Sequence, residues 1–139
     1  MAIVAVAAFS AALWAAPQAF SCAAVVGSAP SRDTLVALSA ASDARLQRMI
    51  EQVHAIATRP GANPTGPADV RAVVAGVQPD TDAFAAAFEA GMCAHYTPSA
   101  TPDAERTIRQ LGDNIRGAPA RMRDAALRGT PLEAPPGLP

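Results

Sequence analysis

The residues of this 139-residue chain that are best suited to bind a metal or to react chemically are its two histidines and two cysteines. One cysteine and one histidine lie close together in the stretch 92–95, Met-Cys-Ala-His. Residues three apart lie on the same side of a helix, so the Met92 thioether and the His95 imidazole can converge on one ligand. A thioether with an imidazole suits copper or haem. His54, in an earlier predicted helix, is the third candidate ligand of such a site.

Ordinary packing explains the same residues without a ligand. Met92 can fill a gap between alanines, and His95 shares its predicted helix face with Phe84 and Phe88, where a core histidine needs one hydrogen bond. The packing interpretation is preferred, and no cofactor is predicted. A haem, copper or lipid pocket near Phe84, Phe88, Met92 and His95 stays as the alternative.

The cysteines favour a disulfide over a metal site. Cys93 lies about 180° around its predicted helix from Phe84, away from the other candidate ligands. Two cysteines in an exported chain form a disulfide more often than they bind a metal. Cys22 and Cys93 are therefore a candidate pair, provided that Cys22 stays in the mature chain.

The N-terminal stretch carries the signal for location. The first charged residue is Arg32, and residues 2–16 are apolar apart from Ser10. Such a run fits a cleaved secretory signal peptide, whose apolar core takes about 7–15 residues. Residues 2–26 are also long enough for a membrane anchor, which needs about 20 apolar residues, but Pro17 and Gln18 interrupt them. A buried helix of a soluble fold is the third interpretation.

The fate of Cys22 depends on how such a leader is processed. Cleavage after Ala16 or Ala19 keeps this cysteine, whereas cleavage after Ala23 removes it and leaves Cys93 unpaired. A further route is lipidation, since residues 19–22, Ala-Phe-Ser-Cys, resemble a bacterial lipoprotein signal with a bulky phenylalanine at an unusual place. Anchoring of that kind uses several acyl chains, because one chain holds a protein only marginally.

Beyond the leader, apolar residues recur with a helical period between breaks rich in proline and glycine, and no strand-like alternation of any length occurs. Gly76 is placed to end the second helix and Thr101 to cap the fourth. The third helix is apolar almost all round, which is typical of a central, buried helix. The predicted helices cover residues 34–58, 67–77, 80–96 and 101–116, with a last turn or two before residue 129.

These elements predict an all-α fold, a small alanine-rich bundle of about four helices preceded by an apolar leader or anchor helix. We divide the chain into a leader at 1–31, a helical domain at 32–128 and a proline-rich tail at 129–139. A chain of this length has room for one domain.

Composition excludes several classes of function. The net charge is −1, whereas a protein that binds nucleic acid needs a clear excess of basic residues. The chain holds 35 alanines and no lysine, a bias typical of a GC-rich genome. No zinc-protease, nucleophile-elbow, Cys-x-x-Cys or phosphate-loop motif occurs, so the sequence predicts a protein that is not an enzyme.

Arginines are concentrated in the last third of the chain. Aspartates and glutamates lie among them, so a solvated helix face with salt bridges is the plainer interpretation. The alternative is a docking surface for an acidic partner or for anionic lipid. The candidates for that surface are Arg109, Arg116, Arg121 and Arg123.

The predicted function is that of a non-catalytic accessory protein, exported or tethered to a membrane through residues 2–26. It is expected to act through helix-mediated contacts with a protein partner whose identity the sequence does not give. The helical domain is placed outside the cytoplasm, either periplasmic or extracellular. The competing hypothesis is a small exported protein that binds a ligand in the pocket defined above.

Overall fold

The computed structural model describes residues 20–58, 67–96 and 101–128, and these residues form five α-helices and no strand. The all-α prediction is therefore confirmed for this part of the chain. The leader up to residue 19 and the tail at 129–139 lie outside the described residues. In chain order the elements are α1 (Cys22–Val25), a short 3₁₀ helix (Val26–Ser28), α2 (Arg32–Ala57), α3 (Pro67–Tyr96), α4 (Pro102–Arg116) and α5 (Ala118–Arg128).

Helix α2 is amphipathic and begins at a side-chain cap. The Ser31 hydroxyl accepts a hydrogen bond from the Thr34 backbone N–H at 3.2 Å, which satisfies one of the free donors of the first turn. The apolar stripe predicted for this helix is confirmed, because its members form the main core together with one valine of α3. The buried residues of this core are Leu46, Met49, Val53 and Val70.

Helix α3 continues where the sequence predicts a break. Gly76 and Pro79 both lie inside this helix, so the prediction of two separate helices was wrong. Pro79 has no N–H to bond with the Ala75 carbonyl, but both residues are exposed and water can reach that carbonyl. Buried positions continue across the proline, from Val70 to Thr81. Packing of this face outweighs the cost of the missing hydrogen bond.

Helix α3 is the centre of the bundle, as its sequence predicts, and contacts α1, α2, α4 and α5. The face that is fully buried differs from the predicted one. Phe84 and Phe88 are half-buried, with their rings edge to face at 6.4 Å, and His95 is exposed. Toward the C-terminal end of the helix, the buried residues are Thr81, Ala85, Glu89, Ala90 and Cys93.

The segment before α2 belongs to the packed unit. A second core cluster joins Cys22 to Cys93 and Ile108, and Phe20 and Val25 lie half-buried against it. The packed structure thus includes residues assigned to the leader by sequence, and the 22–26 part of the possible membrane segment lies against α3. Across residues 20–58, 67–96 and 101–128, no helix has both the length and the hydropathy to cross a membrane.

Helix α4 is held at both ends by side chains. The Thr101 hydroxyl accepts a hydrogen bond from the Ala104 backbone N–H at 3.2 Å, which confirms the predicted cap. At the other end, the Gln78 amide of α3 donates to the Arg116 carbonyl at 2.9 Å. That carbonyl belongs to the last turn of α4, where carbonyls lack partners within the helix. The first bond lies within α4, and the second attaches the C-terminal end of α4 to α3.

Candidate functional site

The most distinctive chemistry lies where α3 faces α4 and the N-terminal segment. Helix α3 contributes Cys93 and Glu89, which are four residues apart and so lie on one side of the helix. Helix α4 contributes two arginines, and the N-terminal segment contributes Cys22. We refer to this region as the α3–α4 site.

The predicted disulfide between Cys22 and Cys93 is present, with Cα atoms 5.1 Å apart. Its two residues are only 3% and 0% exposed, and Ile108 covers the bridge from α4. The Cys22 backbone N–H also donates to Glu105 Oε1 at 3.0 Å, so α1 is attached to both α3 and α4. A bridge so enclosed is shielded from thiol exchange and stabilises the fold rather than carrying out redox chemistry.

Glu89 is a buried carboxylate held by two arginines. It is 3% exposed, and its Oε1 atom accepts a hydrogen bond from Arg116 Nη1. Arg109 Nη1 lies 3.4 Å from each oxygen of the same carboxylate. A buried charge is tolerated when it is paired and hydrogen-bonded. Gly112 of α4 lies against this carboxylate. Because glycine has no side chain, the carboxylate fits into the space beside the α4 backbone.

The pairing changes the acid–base behaviour of one arginine. The hydrogen bond to Glu89 raises the pKa of Arg116 above its ordinary value, although partial burial of the guanidinium acts in the opposite direction. The negative charges of Glu89 and Asp113 add to the increase. Arg116 is therefore a permanent cation, suited to charge pairing and unsuited to proton transfer.

A shallow groove of about 600 Å³ lies beside this pairing, between Phe20 and one face of α4. The Arg109 guanidinium carbon is 5.7 Å from the centre of the Phe20 ring, a cation–π contact. The lining offers one aromatic face and charges of both signs, which are groups for contact and ion pairing. Its other members are Pro102, Glu105, Arg106, Gln110, Asp113 and Asn114.

Met92 and His95, two of the predicted metal or haem ligands, lie near the C-terminal end of α3. Met92 is half-buried and packs against the disulfide cluster. His95 is exposed, and its ring lies edge to face with Tyr96 at 5.1 Å. Met92 thus packs within the fold, whereas His95, which the packing interpretation places in the core, is exposed.

His54 lies at the other end of the bundle. It follows Val53, which packs against Val70 near the start of α3. His95 comes 25 residues after Val70, which is about 37 Å along a helix. The structure does not bring His54 and His95 together. Among the described residues, no group of three or more histidine, cysteine or acidic side chains is placed to hold a metal ion.

The four arginines proposed for a partner surface all contact acceptors within the chain. Arg109 and Arg116 bind Glu89, as described. Arg121 donates to the Asn114 carbonyl at 2.5 Å, and Arg123 Nε lies 2.9 Å from Asp124 Oδ1. Arg109, Arg116 and Arg123 form salt bridges, one of them to a buried acceptor, whereas Arg121 bonds to a backbone carbonyl.

Sequence reasoning missed Glu89 and Gly112. Glu89 is the only charged residue within the predicted 80–96 helix beyond its first turn, and Gly112 stands between Arg109 and Arg116 at helical spacing. A lone acid on an apolar helix, opposite a glycine flanked by arginines, is the pattern that identifies this pairing.

Comparison with protein-family models, with curated proteins and with solved structures finds no match for this chain.

Proposed function

We propose that this chain is a non-catalytic accessory protein that acts outside the cytoplasm, exported or tethered to a membrane, through contacts between its helices and a protein partner. The observation that carries the location is the Cys22–Cys93 disulfide. Disulfides form and persist in oxidising compartments and are rare in the cytosol. The uncharged, apolar run at 2–16 supports the same location, since it has the length of a signal-peptide core.

The best-buried charged groups form ion pairs within the fold, which supports a non-catalytic role. Glu89 is the most buried acid among the described residues, and its carboxylate is paired with two arginines. The pKa of Arg116 is raised, the direction that favours a fixed charge over proton exchange. Catalytic acids and bases have pKa values tuned toward the working pH.

The outer face of α2 is the surface that we propose for the partner. Four alanines on the side opposite the core are exposed, and Val36 beside them is 61% exposed. No charged residue occurs between Asp33 and Asp43. Small side chains let a second helix approach closely, so this face suits a helical partner. The alanines are Ala37, Ala40, Ala41 and Ala44.

Site-specific photo-crosslinking in the organism that encodes the chain tests this surface. A photoreactive amino acid replaces Ala40 in one variant and Ala72, an exposed alanine of α3, in the matched control. We expect one defined protein to be captured from position 40 and not from position 72, and Ala40→Arg to weaken recovery of that same protein. Equal capture from both positions would contradict the proposed surface.

The location has a separate test. Residues 1–31 are fused to a reporter enzyme that is active only outside the cytoplasm, and the same reporter without this segment serves as the control. We expect activity from the fusion alone. A stable fusion protein with a silent reporter would show that the segment does not direct export.

A further inference from the structure

The outer face of α4, which borders the shallow groove, carries charges of both signs at a regular spacing. From this pattern we infer that the face binds the same face of a second copy of this chain, with the two α4 helices antiparallel about a two-fold axis. The face consists of Arg106, Arg109, Gln110 and Asp113. Self-association here goes beyond the proposed function, which concerns the outer face of α2 and a different protein.

The first observation is that this face is uncovered. Helix α4 packs on α3 and α5, and it buries Ile108 and Gly112 on its inner side. On the outer side, the side chains of Arg106 and Asp113 are 76% and 58% exposed, and Gln110 is exposed as well. No other helix among the described residues packs on this side of α4.

The spacing of the charges is self-complementary. Arg106 and Asp113 are seven residues apart, close to two helical turns, so they lie on one side of α4 about 10 Å apart. A two-fold axis midway between them, perpendicular to the helix, places Arg106 of each copy opposite Asp113 of the other. One spacing thus supplies two ion pairs. Parallel helices would instead set each of these charges against its own kind.

Both charges are available for pairing between copies. Arg106 contacts only Asp103, at 2.9 Å, in an exposed pair of the kind that contributes little to stability. Asp113 contacts Arg109 at 3.5 Å and Arg116 at 3.3 Å, in each case through Oδ1. Its Oδ2 atom is left to accept a hydrogen bond from Arg106 of the second copy.

The residues nearest the axis also suit a second copy. The Gln110 side chain has no hydrogen-bond partner among the described residues, and an amide both donates and accepts, so two Gln110 side chains can bond across the axis. The charge of Arg109 is offset within its own chain by Glu89 and Asp113. Phe20 adds apolar surface at the edge of the groove.

Such a contact is small. One pair of helices with a shallow groove lies below the roughly 1,200 Å² that a stable complex buries, so we expect a weak, concentration-dependent dimer. Exposed ion pairs are screened by salt, whose Debye length falls from about 10 Å at 0.1 M to about 3 Å at 1 M. The dimer should therefore dissociate as the salt concentration rises.

Sedimentation equilibrium of the full chain tests this self-association. The chain is examined over a series of concentrations at about 0.1 M and about 1 M sodium chloride. We expect a monomer–dimer equilibrium whose Kd is higher at the higher salt concentration. A monomer at every concentration, or a dimer that salt does not weaken, would overturn the inference.

Charge reversal tests the pairing itself. Arg106→Asp and Asp113→Arg each set like charges against one another at both ends of the contact, so each should raise the Kd about tenfold or more. A mixture of the two variants should associate again, because every acid then faces a base, and this recovery also shows that both variants are folded. Arg48→Asp, at an exposed arginine of α2, is the control and should dimerise like the wild type. Unweakened dimers in the single variants, or no recovery in the mixture, would contradict the pairing.

Crosslinking tests the position of the axis. Gln110→Cys places a thiol beside the axis, and Thr107→Cys places one on another exposed side of α4 as the control. A short bis-maleimide should join two copies of the first variant and not of the second, and equal crosslinking would overturn the arrangement.

Ala40→Arg separates the outer face of α4 from the proposed partner surface on α2. We expect this variant to dimerise normally, and loss of its dimer would place self-association on α2 and overturn the inference. Absence of any dimer leaves capture of another protein from position 40 unaffected, so the two failures are distinguishable.

Discussion

The carboxylate of Glu89 lies so close to the backbone of Gly112 that a Cβ atom on Gly112 would stand 2.5 Å from Glu89 Cδ and 2.7 Å from its Cγ. Helices α3 and α4 therefore meet at a point where one of them has no side chain. Arg109 and Arg116 lie three residues before and four after Gly112, on the same side of α4. The absence of a side chain at Gly112 allows both guanidinium groups to reach the buried acid.

The first prediction follows from that close approach. Gly112→Ala forces the Glu89 side chain to move, and we expect it to lower the free energy of unfolding by about 1–3 kcal/mol, as overpacking does in tightly packed sites. Chemical denaturation measures the loss. The control is Gly76→Ala, inside α3 with nothing within 4 Å of the added atom. There we expect no loss, because alanine favours the helix more than glycine does.

The second prediction concerns the buried charge itself. Glu89→Gln keeps the shape of the side chain but removes the charge that neutralises Arg116 and Arg109. Because both arginines are partly exposed, we expect a loss of about 1–3 kcal/mol, below the full cost of breaking a buried pair. Glu51→Gln, an exposed acid on α2, is the control and should change little. Equal denaturation midpoints for the two variants would contradict a stabilising role for the pairing.

The third prediction is about pH. The hydrogen bond to Glu89 raises the pKa of Arg116 above its ordinary value in the folded chain. A raised folded-state pKa gives stability that is complete below the unfolded value and is lost only as the pH rises through the folded value. The destabilisation caused by Arg116→Gln should therefore be the same at about pH 7 and about pH 10, both well below that range. A difference between wild type and variant that shrinks toward pH 10 would show that this cation is titrating.

The fourth prediction concerns the disulfide, whose cysteines are 71 residues apart. Closing a loop of that length is worth about 4 kcal/mol in the chain-entropy description of the unfolded state. We expect Cys22→Ala with Cys93→Ala to lower the Tm by about 15 °C or more for a domain of this size. Scanning calorimetry with and without a reductant measures it, and the reductant should leave the double variant unaffected. If the wild type has the same Tm with and without the reductant, the bridge is not a main source of stability.

Periodicity was enough to predict the helical class and the core stripe of α2. Leu46, Met49 and Val53 recur at helical spacing, and nothing in the tertiary structure opposes their burial. The disulfide was predictable for a similar reason, since only two cysteines exist and Cys93 lies off the aromatic side of its helix.

The α3–α4 site was not predictable by the same reasoning. Burial of Glu89 depends on arginines that lie 20 and 27 residues later in the chain and on the missing side chain of Gly112. Periodicity assigns a lone acid to the solvent side, so it misplaced the buried face of α3. The continuity of α3 through Pro79 was missed because proline by itself favours the end of a helix. The packing of α3 on both sides of Pro79, which keeps the helix continuous, is not visible in the local sequence.

The disulfide also divides the chain into a closed ring and an open branch. The covalent ring from Cys22 to Cys93 includes all of α2 and nearly all of α3, whereas α4 and α5 lie on the branch that follows it. A single peptide-bond break between the cysteines therefore opens the ring without releasing any fragment. A break after Cys93 and before α4 would release both C-terminal helices, and with them Arg109 and Arg116, the two partners of the buried acid. A break at the junction between α3 and α4 thus divides the chain into two covalently separate pieces, whereas a break between the two cysteines leaves it in one piece.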